Sequence, residues 1–278
     1  MAIARRMSVA TVFALLFVLV ALGQSEAQNL PAANADVKAV QGRAEVLRGG
    51  QTSWSALASG ARLAEGDQVR TGPGGSIEFA LPDGSSTLVA ENTRYVITKL
   101  QYSPQNRQRN FGFHIVVGKV KNEVSRAAVE AVRARQANFF ISTPNGVAAA
   151  RGTLVVILFN PATGQSLTAV LPSPGQLAGQ AIVTHISLST GTVTTITGGN
   201  FVTQVAGQPP SAAASIGTLP SNVQTILLTA ANSATAGSPL LVAVDIEIPI
   251  LPPALLGEAF TPTTPIEFTT PSTPRPES

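Results

Sequence analysis

The 278-residue chain contains no cysteine. That excludes a disulfide framework, a Cys-based zinc site, a thiol nucleophile and a lipid anchor on an N-terminal Cys. The fold must therefore rest on core packing and hydrogen bonds. Charge is also scarce: Asp, Glu, Lys and Arg make up 12% of residues, about half the usual fraction, which excludes a highly charged disordered polymer. Only two histidines occur, His114 and His185. Neither has a second His or an acid nearby at metal-ligand spacing. A Gly-x-Ser-x-Gly elbow and a P-loop are both missing, and the glycine clusters sit in turn sequences, not between a strand and a helix. Glu65 and Asp67 are the right residue type for a glycosidase pair, but they flank Gly66, where carboxylates serve as turn formers. No catalytic residue, cofactor or metal is expected.

One long apolar run stands at the N-terminus. Arg5 and Arg6 precede the stretch from Ser8 to Leu22, and Ser25 and Ala27 offer small side chains just before Gln28. This is the three-part layout of a secretory signal peptide. Cleavage after Ala27 is expected, with the mature chain periplasmic or secreted and without a stable membrane span. The run is shorter than the about 20 residues that cross a bilayer. Arg5-Arg6 is a twin-arginine pair, but Met7-Ser8-Val9 continues it poorly, so the general secretory route is favoured. If uncleaved, the same segment would be an inner-membrane anchor.

After a lead-in over residues 28–35, apolar and polar residues alternate and turns recur every few residues. Val37–Val40, Arg43–Leu47 and Ser76–Leu81 each place apolar side chains on one face. Arg48-Gly49-Gly50, Thr71–Gly75 and Pro82-Asp83-Gly84-Ser85 are turn sequences, and Asp-Gly suits a hairpin corner with positive φ. Strands resume at Asn138–Ser142, Leu154–Phe159, Leu167–Leu171, Ala181–Ser189, Thr192–Thr197 and Asn200–Val205. Such spacing predicts an all-β fold, an antiparallel sandwich or roll of short strands. One or two short helices are expected, at Lys121–Gln136 and Pro220–Ala234. The expected organisation is a β-domain over 36–160, a β-rich continuation over 161–208, a helix and a short β segment over 209–260, and a disordered Thr/Pro-rich tail over 261–278.

Charge is unevenly spread. From Lys38 to Arg151 there are 15 Lys and Arg against 8 Asp and Glu, whereas from Gly152 onward Arg275 stands against 5 acids. The basic half suits an anionic partner. Its positive residues alternate with acids and do not cluster with aromatics, which argues against nucleic acid.

Two segments are more specific. The first runs from Trp54 through Gly66-Asp67, Val69-Arg70-Thr71 and Leu81-Pro82-Asp83-Gly84-Ser85. The second is Thr143-Pro144-Asn145-Gly146, closing on Arg151-Gly152-Thr153. Together, over about Val37 to Thr153, they resemble the FecR domain family. The resemblance implies an extracytoplasmic all-β module. The family's best-known members sense a loaded outer-membrane transporter and signal through the inner membrane to a sigma factor. Such members need a cytoplasmic region before a spanning helix, and here only six or seven residues precede the apolar run. A free-standing secreted member is therefore expected.

The motif residues Trp54, Gly66, Asp67, Thr71, Asp83, Gly84, Pro144, Arg151, Gly152 and Thr153 are expected to be structural. Asp67 should accept backbone N–H bonds at a tight turn, and Trp54 should cap the core. Arg151 should bridge to Asp67 or Asp83, or else face an anionic ligand. The expected role is a non-enzymatic module that binds an envelope protein or an anionic glycan. Three alternatives remain: a membrane-anchored sensor, a surface adhesin suggested by the Ser/Thr/Gly/Val-rich continuation, and a polysaccharide-active enzyme. The last would need a groove of clustered Arg, Asp, Glu and His.

Overall fold

The computed structural model describes residues 30–126, 138–221, 223–225 and 227. The expected signal peptide, the short β segment expected after the second helix, the Thr/Pro-rich tail and much of both expected helices lie outside these residues. Among the described residues the chain is almost entirely β. Its strands form two sheets that share one long strand.

The front sheet is ordered β3 (Ser55–Ala56), β2 (Ala44–Leu47), β5 (Gln68–Thr71), β8 (Arg94–Ser103), β9 (Gln108–Glu123), β10 (Phe139–Ser142), β11 (Gly146–Ala150), β14 (Ile182–Ser187) and β15 (Val193–Thr197). The back sheet is ordered β4 (Arg62–Leu63), β1 (Ala35–Gln41), β6 (Ser76–Ala80), β7 (Ser86–Val89), β9 again, β12 (Leu154–Asn160), β13 (Gln165–Leu171), β16 (Asn200–Val205) and β17 (Ala214–Ser215). Every pairing is antiparallel except β9 with β10, which is parallel.

The shared strand changes sheets at a glycine. Up to Val117, β9 pairs with β8 in front; from Gly118 to Glu123 it pairs with β12, and from Val120 with β7, at the back. Gly118 has φ +105, and a Cβ there would lie 2.6 Å from Thr93 Cα. A side chain would meet both a forbidden backbone region and a neighbouring main chain.

Strand alternation builds the core between the sheets. Phe111, Phe113 and Ile115 of β9 point inward, joined by Tyr95, Ile97, Phe79 and Ile77. Tyr95 stacks on Phe113 at 5.4 Å between ring centroids, and Phe79 of the back sheet sits 6.2 Å from Tyr95 of the front. Burial raises the Tyr95 phenol well above its usual range, against a smaller lowering by its hydrogen bond with Thr87.

Helical spacing over Lys121–Gln136 mispredicts its own start. Lys121, Asn122 and Glu123 complete β9, because Val120, Asn122 and Val124 keep the two-residue period with their side chains buried and ladders hold the strand on both sides. Residues 127–137 lie outside the described residues.

The outer face of the back sheet is covered by the chain itself. β12 and β13 are buried along their whole length; the apolar run Leu154–Phe159 implies this for β12, whereas β13 also buries Gln165, Ser166 and Thr168. Ile216, Leu219, Val223 and Leu227 close a second core over Leu154, Val156, Leu158, Leu167 and Leu171. Ser221, Val223–Thr225 and Leu227 of the helix expected over Pro220–Ala234 are helical, and Val223 and Leu227 face this sheet.

Candidate functional site: the uncovered face of the front sheet

The motif residues hold corners and do not converge on one place. At the first corner, Gly66 adopts φ +90 and the buried Asp67 carboxylate accepts the backbone N–H groups of Gly49 and Ala64, both at 3.0 Å. The Arg48 guanidinium donates to it at 2.7 Å. At the second, Gly84 adopts φ +86, and Asp83 accepts the Ser85 N–H at 2.9 Å and the Ser85 hydroxyl at 2.8 Å. The buried guanidinium of Arg109 pairs with Asp83 and also donates to the Ser125 carbonyl at 3.0 Å. Arg109 thereby ties the β6–β7 corner to the exit of β9.

Arg151 bridges to neither acid. It is half-buried and has no hydrogen bond or ion pair among the described residues. The sequence pattern carried a sign of the true partner. Arg109 stands in the inward phase of β9 with Phe111 and Phe113, and a guanidinium aimed into a core requires a buried acid.

The remaining motif residues join elements locally. Thr71 donates its hydroxyl to the Ala90 carbonyl at 2.6 Å and accepts the Thr93 N–H at 3.1 Å. Thr153 donates to the Leu171 carbonyl at 2.8 Å. Pro144 is exposed in the turn closed by the Thr143 N–H to the Gly146 carbonyl, and Gly152 is buried between β11 and β12. Trp54 does not cap the core. Its ring lies half-buried on the surface, with the Arg70 guanidinium 4.3 Å and the Arg94 guanidinium 5.7 Å from its centroid.

Neither histidine forms a reactive pair. His114 Nδ1 lies 2.9 Å from Ser142 Oγ, but that hydroxyl donates to the Phe113 carbonyl at 3.0 Å. The imidazole is thus the donor to Oγ, opposite to the polarity a serine nucleophile needs. His185 is buried, its Nε2 2.8 Å from Gln204 Oε1. Burial lowers the pKa of both histidines, and for His185 the Gln204 bond partly offsets the shift. Among the described residues no three His, Asp or Glu groups stand together as metal ligands.

What distinguishes the front sheet is its outer face. A single row of paired residues crosses eight strands. It runs through Leu47, Gln68 and Val96, continues through His114 and Ser142, and ends at Val147, Ile186 and Val193. Its far end is apolar and bare: Ile186 is 36%, Ile182 42%, Leu188 59% and Val193 61% exposed, with Phe140 nearby at 37%. Its near end is polar and basic, where Glu45, Arg70 and Arg94 form a parallel row beside Trp54. Strand β15 ends this sheet and pairs only with β14 among the described residues.

Residues 67–172 match the family model described as FecR protein. Two crystal structures of a protein from Parabacteroides distasonis ATCC 8503, described as a "putative anti-sigma factor", align over 53% of this chain with TM-score 0.38, at 11% and 12% identity. The alignment spans 59% of that protein's chain. No curated protein matches the chain.

Proposed function

We propose, from the premise that this chain carries a FecR domain over residues 67–172, that it is an exported, non-enzymatic binding module of the cell envelope. Its protein partner docks on the apolar half of the front face. One observation carries this reading. The two sheets are treated differently: the back sheet's outer apolar residues are covered by Ile216, Leu219, Val223 and Leu227, while Phe140, Ile182, Ile186 and Val193 on the front stay exposed. Clustered exposed apolar residues on a folded domain mark a surface meant to be covered. The open edge of β15, with no Lys or Pro to blunt it, adds main-chain groups that an extended segment can pair with.

Two measurements test it. The mature N-terminus should be Gln28; a chain that keeps residues 1–27 in the membrane fraction would point to an anchored sensor instead. A photo-crosslinker at Val193 should give one discrete adduct in envelope preparations. Ile186→Glu should abolish that adduct without changing the unfolding midpoint. An adduct that persists in Ile186→Glu would remove the front face from the proposal.

A further inference from the structure

The basic end of the front face is built around an unequal charge count. Glu45 is the single carboxylate of this row. It accepts Arg70 Nε at 2.7 Å and Arg43 at 3.3 Å, so two guanidiniums share it. Arg94 is held differently: its Nε and one terminal nitrogen both donate to Gln68 Oε1, at 3.1 and 2.7 Å. A neutral amide fixes the orientation of a guanidinium without cancelling its charge. Among the described residues Arg94 pairs with no carboxylate, and one edge of its fork has no hydrogen bond. Trp54 lies against the same row, just before β3, whose pairing with β2 sets Ala56 opposite Glu45.

We propose that Trp54 and Arg94 form a binding site for an acidic glycan, a sugar chain bearing a carboxylate on its ring. A pyranose presents a flat C–H face and, in a uronic acid, a carboxylate at its rim. The part of the half-buried indole that Arg70 and Arg94 leave open supplies an apolar platform for the first. The pre-oriented guanidinium supplies a two-pronged donor for the second. Glu45 beside the site disfavours a continuous phosphate backbone, and a lone aromatic gives no platform for successive stacked bases. A sugar with one charge per ring fits better than a single-stranded nucleic acid.

Trp54 is the sole tryptophan, so the protein's tryptophan emission reports directly on this site. Titration of the full mature chain with an oligogalacturonate should change that emission saturably. A neutral oligogalactose of equal length should not. Arg94→Gln should weaken binding about tenfold or more, as loss of one charge-assisted contact predicts, and Arg94→Lys should not restore it. Gln68→Glu serves if Arg94 variants unfold. It keeps the contact but supplies the missing negative charge, and should also abolish the response. Ile186→Glu should leave the titration unchanged, which separates this site from the apolar docking surface. An equal response to the neutral sugar, tighter binding of an oligonucleotide, or undiminished binding by Gln68→Glu would each overturn the assignment.

Discussion

The strands on either side of β9 hold their polar groups in different ways. Eight ion pairs join residues between Asp36 and Lys119. On the other side, from Asn138 to Leu227, the sole charged side chain is Arg151. There the interior is joined by neutral groups. The Asn145 amide donates to the Gly164 carbonyl at 2.8 Å and to the Gln204 carbonyl at 3.1 Å, and the Gln204 amide donates to Ser187 Oγ at 2.7 Å. With His185 on Gln204, these bonds cross between the two sheets. The first half uses ion pairs, and a buried one such as Arg109 with Asp83 loses much if broken on one side. The second spreads the same task over amides and hydroxyls that need no counter-ion.

The largest break in this contrast should come at the buried pair. Asp83→Leu or Arg109→Leu alone is expected to cost about 3–5 kcal/mol in urea unfolding, because each strands a charge in the core. The double substitution should recover a good part of that loss, which would show that the penalty lies in the unpaired charge. The neutral half should fail by crowding. A Cβ on Gly146 would lie 2.8 Å from His185 Nε2 and 2.9 Å from both Gln204 Oε1 and the Ile186 carbonyl, so Gly146→Ala should cost about 1–3 kcal/mol.

Acid should separate the halves next. Burial lowers the His185 pKa in the folded chain, so the unfolded chain takes up a proton first. Stability is then full above about pH 6.5 and declines as pH falls from there toward the folded pKa. His185→Gln should flatten this slope in thermal melts across pH 7.5 to about 5. His114, shifted the same way by burial, adds to the slope in the same direction. The smallest effect belongs to the exposed pair of Lys38 with Asp36, at 51% and 57% side-chain exposure. Lys38→Ala should change stability by less than about 0.5 kcal/mol.

Alternation made most strands legible, and Asp-Gly and Gly-Asp marked the two corners whose carboxylates accept backbone donors. What escaped was the partner chemistry. Arg109 lies 26 residues from Asp83 in sequence, and only the sheet topology brings them together. Arg151, read as the bridge, sits next to a motif but not next to an acid. Residue type alone points Trp54 to the core, whereas its position before a two-residue edge strand leaves it half-buried at the surface, with the Arg70 guanidinium 4.3 Å from its ring centroid. The polar members of the neutral network are buried at alternating positions of their strands: Ser166 with Thr168, His185 with Ser187, and Gln204 two residues after Val202. A polar residue in the inward phase was the available sign, and it would have singled out Arg109 and Asn122 as well.

A strand that belongs to both sheets also dictates an order of assembly. Chains emerge N-terminus first, and once Glu123 has appeared the first half can close onto β9 through β8 and β7. At that moment β9 presents two bare ladders, one from Phe111 to His114 awaiting β10 and one from Gly118 to Glu123 awaiting β12. The first stays open until Ser142 has followed and the second until Asn160 has. The nascent half-molecule is therefore stickiest just when it looks nearly complete, and slowing synthesis or transport between residues 124 and 160 should raise its aggregation more than a pause anywhere after Val205.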